Sequence, residues 1–265
     1  MSHGNAMQQS GTAPDNGLLA GKVVLVVGAS SGIGAEAARV FTAEGASVML
    51  AARSSERLRE IVDELTRGGH DAAAVSGDVA VADDVARFVD ETISRFGRLD
   101  GAFNNAGIGQ GGRLDDVSED EFDRVMNVNV KGVWLCLREQ VRVMRPAGSG
   151  AIVNVSSIGG LRGSPGFGAY QATKHAVIGL TRTAAHDNGP DGIRVNVVAP
   201  GPVLTSMVMK PDGELPDGVK ARIAATPLRK AGAPEEVAQS AAWLLSDRAS
   251  HVSGAVLTVD GGYTA

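Results

Sequence analysis

The stretch KVVLVVGASSGIG, from Lys22 to Gly34, determines the architecture expected for this chain of 265 residues. Its apolar part, Lys22–Gly28, is typical of a buried strand, and Gly32–Glu44 behind it has the spacing of a helix. Between them lies a glycine-rich turn, where backbone amides at a helix N-terminus attract phosphate and missing side chains permit close approach. The stretch therefore predicts a strand–turn–helix unit that binds a nucleotide pyrophosphate, although a glycine-rich turn can also serve packing alone.

Apolar runs and helical patterns alternate along the rest of the chain. Further strands are predicted at Ser47–Ala52, Ala72–Ser76, Leu99–Asn104, Ala151–Ser156, Ile193–Val198 and Ala255–Val259. Further helices are predicted at Ser54–Arg67, Val81–Phe96, Ser118–Met144, Ala169–Asn188 and Pro234–Ser246. Continuous apolar strands that alternate with helices indicate a parallel sheet covered on both faces, and seven strands make an open sheet rather than an eight-stranded barrel. We predict an α/β, Rossmann-type fold with a doubly wound, seven-stranded parallel sheet and helices on both faces.

The domain organisation follows from composition along the chain. Residues 1–17 are polar and are predicted to form a disordered tail, of which Met1–Ala6 has a second interpretation as residues added during cloning. Residues 18–265 show no linker-like shift and are predicted to form a single dinucleotide-binding catalytic domain. The least regular stretch, Pro200–Pro227, holds five prolines and follows a strand end, which predicts a substrate lid at about 202–227.

Charge and residue usage exclude several classes of function. The net charge is −5 and no basic block occurs, so nucleic acid is not expected as a partner. No apolar run approaches the roughly 18 residues of a membrane span, so no membrane partner is expected either. The five histidines do not cluster, and no metal site is predicted. Cys136 is the one cysteine, so no internal disulfide forms, which fits a cytoplasmic location.

Tyr170 and Lys174 lie four residues apart in the predicted helix Ala169–Asn188, so their side chains share one face. A free phenol, with a pKa near 10, is a poor base at neutral pH, and a neighbouring ammonium lowers that pKa. The pair is therefore a candidate general acid/base unit, although this spacing also occurs by chance on helix surfaces. Ser156 and Ser157 end the preceding strand, where hydroxyl groups point into the ligand crevice of open α/β sheets.

With the spacing Gly-x-x-x-Gly-x-Gly at Gly28–Gly34, these motifs give the chain, over residues 19–265, a resemblance to the short-chain dehydrogenase/reductase (SDR) family. The resemblance implies an NAD(P)-dependent oxidoreductase that interconverts a ketone or other carbonyl and a secondary alcohol. Ser157 and Tyr170 would hold the carbonyl oxygen while hydride passes from the nicotinamide, and Tyr170 would deliver the proton. Lys174 would bind the nicotinamide ribose and lower the pKa of Tyr170.

The family resemblance also assigns a role to Asn129, which would hold a water that links the catalytic lysine to solvent. The nearby Asn127 is the alternative for that position. Two other classes of function are weighed against the oxidoreductase: a non-catalytic, nucleotide-sensing regulator, and a lyase on the same scaffold such as a halohydrin dehalogenase. A sensor does not need all four of the catalytic residues, and such lyases lose the glycine loop that this chain retains.

The dinucleotide contacts implied by the resemblance lie at the carboxyl ends of successive strands. Asp78 and Val79 would contact the adenine, the backbone of Asn104–Gly107 would lie along the adenosine ribose, and Val203 and Thr205 would hold the carboxamide. The full set of expected cofactor residues is Gly28, Ser30, Ser31, Gly32, Ile33, Gly34, Arg53, Asp78, Val79, Asn105, Ala106, Gly107, Tyr170, Lys174, Pro200, Gly201, Val203 and Thr205.

Ala52 and Arg53, at the end of the second strand, favour NADP(H) over NAD(H). NAD-dependent enzymes usually carry an acidic residue here, which hydrogen-bonds the ribose hydroxyls and repels a 2′-phosphate. Ala52 removes that repulsion, and Arg53 can pair bidentately with phosphate. NAD(H) stays the alternative, because Arg53 could instead stack on adenine or face solvent, and because Ser31 stands where many NADP-using relatives have a basic residue.

Small and apolar residues around the predicted active site are expected to contact the substrate, which suits a ketone or secondary alcohol with an apolar body. They are Ile108, Gly109, Ile158, Gly159, Phe167, Leu204, Met207 and Met209. The two methionines could equally be packing residues. The family resemblance, together with the apolar strand Ala255–Val259 and long helices that need covering, further implies a homotetramer.

Overall fold

A computed structural model describes residues 17–210 and 212–265. The predicted disordered tail therefore lies outside the described residues except for Gly17, whose carbonyl accepts a hydrogen bond from the amide of Ala20. Seven strands form one sheet: β1 Val23–Val27, β2 Ser47–Ala52, β3 Ala72–Ser76, β4 Gly101–Asn104, β5 Gly150–Val155, β6 Ile193–Pro200 and β7 Val256–Val259. All neighbours are parallel, in the order β3-β2-β1-β4-β5-β6-β7, which confirms the predicted fold class.

The helices cover both faces of this sheet. They are α1 Gly32–Ala43, α2 Ser55–Arg67, α3 Ala82–Phe96, α4 Glu119–Met126, α5 Gly132–Ala147, α6 Gly168–Asn188, α7 Asp217–Ala225 and α8 Pro234–Leu245. Alternate residues of β1 enter two separate cores: Val24 and Val26 pack with α1, α2 and α8, whereas Leu25 and Val27 pack with α3, α5 and α6. Burial on both faces explains why the strands are continuously apolar. None of the described helices combines the length and the hydropathy needed to cross a membrane.

The predicted helix Ser118–Met144 is divided in the structure. α4 ends at Met126, Asn127–Lys131 forms one π-helical turn, and α5 continues to Ala147 with Pro146 in its last turn. A π-turn inserts one extra residue without changing the local composition, so apolar periodicity does not reveal it. The turn carries Asn129, one of the expected catalytic residues.

The helix α7, Asp217–Ala225, was not predicted from the sequence. None of its residues is buried, so it has no apolar stripe from which a helical period could be read. It falls within the stretch predicted as a lid. The strand order reverses between β1 and β4, and the carboxyl ends of these two strands border the crevice where open α/β sheets bind ligands.

Candidate active site

A cavity of about 910 Å³ opens at the carboxyl ends of the strands. All the expected cofactor residues line it except Gly34, which lies behind the loop. Three of the four expected catalytic residues, Ser157, Tyr170 and Lys174, line the same cavity. The structure therefore brings the phosphate loop and the acid/base candidates together in one space of the size that small-molecule and cofactor sites have.

The glycine loop is shaped by backbone packing. Gly28 has φ +84°, and a Cβ at this residue would lie 2.6 Å from the backbone of Ala106. A Cβ at Gly34 would lie 2.7 Å from Asn105 Nδ2 and would overlap the carbonyl oxygen of Gly28. Asn105 Nδ2 in turn donates to that carbonyl, at 3.0 Å. These contacts hold the β1–α1 turn against the segment after β4, across the crevice.

The N-terminus of α1 fits an anionic group. The side chain of Ser31, the residue before the helix, makes no capping hydrogen bond, and no acidic residue stands in the first turn. The first amides of a helix have no intrahelical acceptor and carry partial positive charge, which attracts phosphate. Gly32 and Ile33 line the cavity here, so the residues present fit the pyrophosphate of a dinucleotide.

Ser157 and Tyr170 form the polar centre of the cavity. Ser157 follows β5, and its hydroxyl accepts a hydrogen bond from the amide of Gly159, 3.1 Å away, which orients it. Tyr170 lies in the first turn of α6 and lines the cavity together with Ser157. Burial raises the pKa of Tyr170, and the nearby Ser157 hydroxyl opposes this with a smaller effect. The direction is opposite to the lowering expected from Lys174, so Tyr170 is a neutral phenol at physiological pH.

The amine of Lys174 is buried beneath Tyr170. Its Nζ lies 5.6 Å from the Tyr170 ring centroid and donates to the carbonyl oxygen of Val155, 3.0 Å away. Burial lowers the pKa of Lys174 to about 8, because a charged ammonium loses hydration there. The side chain of Ser156 diverges from that of Ser157 and donates to the Lys174 carbonyl, at 2.8 Å, which anchors α6 to the end of β5.

Asn129 holds the wall of the site from behind and does not line the cavity itself. Its side chain is fully buried, donates to the carbonyl oxygen of Ile108 at 2.9 Å and accepts from the Ile108 amide at 2.8 Å. It also donates to the hydroxyl of Thr173, at 3.1 Å. A Cβ at Gly107 would lie 3.4 Å from both Asn129 Oδ1 and Lys174 Nζ, so the two polar groups face the same backbone position.

The residues expected near the adenosine occupy the far side of the cavity. Asp78 accepts a hydrogen bond from the Ala80 amide at 2.9 Å, and its own amide donates to Asp84, so this turn is held by carboxylates. Arg53 is exposed and lines the cavity beside Ala52. Among the described residues, no carboxylate pairs with Arg53, which leaves its guanidinium available to an anion. We call this part of the cavity, with the glycine loop, the cofactor end.

The expected substrate residues divide into two groups. Six line the cavity: Ile108, Gly109, Ile158, Gly159, Phe167 and Met207. Leu204 and Met209 do not, and their side chains are 44% and 38% exposed. Their position on the outer surface of the lid follows from the loop geometry after β6, which the sequence pattern does not encode.

The cavity is also lined by residues that were not expected from the sequence, among them Arg162, Gln171, Arg222 and Tyr263. Gln171 is buried and clamps the loop after β5 through two hydrogen bonds to Ser164, of 2.7 and 2.9 Å. Arg222 comes from α7, and Tyr263 from the segment after β7. Of these four residues, only Gln171 could have been identified from the sequence, because it is adjacent to Tyr170. We call the region formed by Arg162, Phe167, Arg222 and Tyr263 the substrate end.

Comparisons with known proteins agree with this site. The profile of the family described as enoyl-(acyl carrier protein) reductase matches residues 28–264. An A-factor type gamma-butyrolactone 1′-reductase of Streptomyces virginiae is 45% identical over 94% of this chain and 97% of its own. Levodione reductase of Leifsonia aquatica is 40% identical over 92% of this chain and 94% of its own. A crystal structure of levodione reductase superposes with a TM-score of 0.88, at 38% identity, over 92% of this chain and 98% of that one.

A dinucleotide cleft with a serine, a tyrosine and a lysine at its centre, in a chain whose relatives are reductases and dehydrogenases, defines an NAD(P)-dependent oxidoreductase that acts on CH–OH and C=O groups. The chain belongs to the short-chain dehydrogenase/reductase family. The substrates named for its relatives differ from one another, and include a gamma-butyrolactone, a dichlorinated cyclohexadiene diol and a 3-oxoacyl group on acyl-carrier protein. Membership therefore establishes the class of reaction and leaves the substrate open.

Proposed function

We propose that Asn129, Ser157, Tyr170 and Lys174 are the functional residues of this oxidoreductase, with Tyr170 as the proton donor to a substrate carbonyl oxygen. The observation that supports this most strongly is the convergence of Ser157 and Tyr170 in the cavity that also receives the N-terminus of α1. A general acid must carry its proton at the working pH and lie within hydrogen-bond reach of the reacting atom. Tyr170 meets the first condition because burial raises its pKa.

Each residue then has a distinct task. The nicotinamide, when bound, supplies the hydride chemistry. Ser157 and Tyr170 together bind the carbonyl oxygen, and their hydroxyl groups stabilise the negative charge that develops on it. Lys174, whose pKa of about 8 lets it gain or lose a proton near neutrality, lies under the Tyr170 ring and restores the phenol proton after transfer. Asn129 fixes the backbone of Ile108 and so keeps the cavity wall in register with α6.

The proposed reaction is tested by turnover with a panel of ketones and secondary alcohols, each with NADPH, NADH and their oxidised forms. We expect oxidation or reduction of the nicotinamide with at least one member of the panel, and a strong loss in Ser157→Ala. A chain that binds the dinucleotide but never changes its redox state with any member would instead support the non-catalytic sensor.

The cofactor proposed is NADP(H) in preference to NAD(H). Its support is the exposed Arg53 at the cofactor end, which follows Ala52 and has no carboxylate partner in the described residues. An arginine can pair through two N–H groups with a 2′-phosphate, whereas the usual acidic residue would repel it.

We also propose a homotetramer in the cytoplasm. Phe122 on α4 and Trp134 on α5 are 41% and 46% exposed, and β7 forms one edge of the sheet, so apolar surface is available for association. Cys136 is buried and free, which is compatible with a reducing compartment. Light scattering at micromolar concentration should report four times the chain mass of 27.1 kDa, and a monomer mass would contradict the proposal.

A further inference from the structure

Two arginines line the substrate end of the cavity with their charged groups lying on aromatic rings. The guanidinium carbon of Arg222 lies 4.8 Å from the centroid of Phe167, and that of Arg162 lies 5.0 Å from the centroid of Tyr263. A cation–π contact of this kind holds the guanidinium at the ring without using its N–H groups in a hydrogen bond to a carboxylate. Both arginines are therefore held in place with their hydrogen-bond donors available.

Neither arginine of this pair is in salt-bridge contact with a carboxylate of the residues that the structure describes. Within the described part of the chain, neither Arg162 nor Arg222 takes part in a salt bridge or a side-chain hydrogen bond, in contrast to most of the surface arginines. The acidic groups on the lid have other partners. Glu214 lies 3.8 Å from a lysine amine, and Asp217 lies 3.5 Å from another.

The cavity as a whole is positive although the chain is not. Its described lining contains one carboxylate, that of Asp78 at the cofactor end, and five cationic side chains: Arg53, Arg124, Arg162, Lys174 and Arg222. Arg124 is paired with Glu121 at 2.7 Å and therefore does not count as unpaired positive charge. A chain with a net charge of −5 thus concentrates unpaired positive charge where its substrate must enter, which favours an anionic ligand.

The location of the two arginines separates them from the phosphates of the dinucleotide. Arg162 follows Ser157 by five residues, and the stacking partner of Arg222, Phe167, precedes Tyr170 by three. Both arginines therefore belong to the β5 side of the site. Arg53 follows β2, three strands away in the sheet, which is about 14 Å at the usual strand spacing. The glycine loop follows β1, two strands away from β5.

We infer that the substrate of this enzyme carries an anionic group of the carboxylate class, bound by Arg162 and Arg222 while its carbonyl oxygen is held by Ser157 and Tyr170. The inference rests on the proposed function, because it concerns the same site and names the chemical class of its substrate. A guanidinium that stacks on a ring and binds a carboxylate through two N–H groups also fixes the orientation of the substrate relative to Tyr170.

The test compares keto acids with their neutral methyl esters, since the two differ in charge and share the reacting carbonyl. The probes are acetoacetate, levulinate and the methyl ester of each, and the readout is the acid-to-ester ratio of kcat/KM. We expect a ratio of at least about 10 for one pair, the gain typical of a hydrogen-bonded charge pair. The ratio should fall toward one in Arg222→Gln and Arg162→Gln, and should fall less in Arg222→Lys, which keeps the charge and loses the two-point pairing.

The matched control is Arg248→Gln, which removes an exposed arginine that does not line the cavity and should keep the ratio of the unmutated enzyme. Because the readout is a ratio, a packing loss that affects acid and ester alike cancels. A ratio near one in the unmutated enzyme overturns the inference, and so does a ratio that neither Arg162→Gln nor Arg222→Gln changes.

A separate binding measurement distinguishes this inference from the proposed function. Calorimetry of levulinate and methyl levulinate on the enzyme saturated with oxidised cofactor needs no turnover. If neither probe is reduced, tighter binding of levulinate that is lost about tenfold in Arg222→Gln still supports the anion site. Equal affinity for acid and ester overturns the site whether or not turnover occurs.

Discussion

The two ends of the cavity are built in different ways. At the cofactor end, backbone segments touch directly, and a Cβ at Gly28 would come within 2.6 Å of Ala106. At the substrate end, α7 has no buried residue, and a Cβ at Gly218 would meet nothing within 4 Å. The first end therefore tolerates almost no added atom, whereas the second can change its side chains without disturbing the sheet. We therefore expect chains of this family to differ mainly at the substrate end, since the substrates named for the relatives differ.

The largest effect is expected when one methyl group is added at each end of the cavity. Gly34→Ala places a Cβ against the carbonyl of Gly28 and Asn105 Nδ2, neither of which can move without opening the loop. We expect it to lower the free energy of unfolding by more than about 3 kcal/mol, or to abolish dinucleotide binding. Gly218→Ala, in the exposed helix α7, should leave stability unchanged or raise it by up to about 1 kcal/mol.

Urea unfolding and cofactor titration of the two variants measure both effects. Equal stability losses in Gly34→Ala and Gly218→Ala would show that the two ends do not differ in the way described.

The same difference decides what could be predicted from the sequence. The seven parallel strands and the phosphate loop were predictable, because buried parallel strands are continuously apolar and backbone contact demands glycine at fixed positions. The catalytic spacing of Tyr170 and Lys174 was visible because both lie on one helix face. The roles assigned to the site residues stay predictions until variants are measured.

The substrate end could not be predicted in the same way. α7 leaves no apolar period, since all its residues are accessible, and so it was missed. Arg162 and Arg222 are unremarkable in the sequence, and only three-dimensional packing places them on Tyr263 and Phe167. The π-turn that carries Asn129 was also invisible, because one inserted residue does not alter composition.

Lys174 lies where the two ends meet, and its burial predicts a pH dependence of stability. Its pKa is about 8 in the folded chain and 10.5 when solvated, so the unfolded chain binds more protons between these values. The stability penalty of Lys174 is therefore full below pH 8 and is relieved as the pH rises from 8 to 10.5. Relative to Lys174→Met, the free energy of unfolding should rise by about 3 kcal/mol across this window.

The measurement is urea unfolding of both proteins, without cofactor, at a series of pH values. The exposed Lys131→Met controls for the loss of a lysine as such. A difference between the unmutated protein and Lys174→Met that stays flat from pH 8 to 10.5 would contradict the burial of an uncompensated amine.

A smaller effect distinguishes the cations at the two ends. Arg53→Ala should weaken NADPH binding about tenfold and leave NADH binding nearly unchanged, because only NADPH carries the 2′-phosphate that Arg53 would pair with. Arg222→Ala, at the substrate end, should leave the ratio of the two affinities as it is. Fluorescence titration with both dinucleotides gives these ratios. Tighter binding of NADH by the unmutated enzyme would reverse the proposed preference.

The central claim is that the hydroxyl group of Tyr170 transfers the substrate proton in a cavity shared with the dinucleotide. Tyr170→Phe removes that hydroxyl and keeps the ring, and Tyr263→Phe makes the same change at the other tyrosine of the cavity. With a substrate from the panel, turnover by Tyr170→Phe should fall at least about 100-fold while its cofactor affinity is retained, and Tyr263→Phe should keep most of its activity. Turnover by Tyr170→Phe near that of the unmutated enzyme would contradict the account.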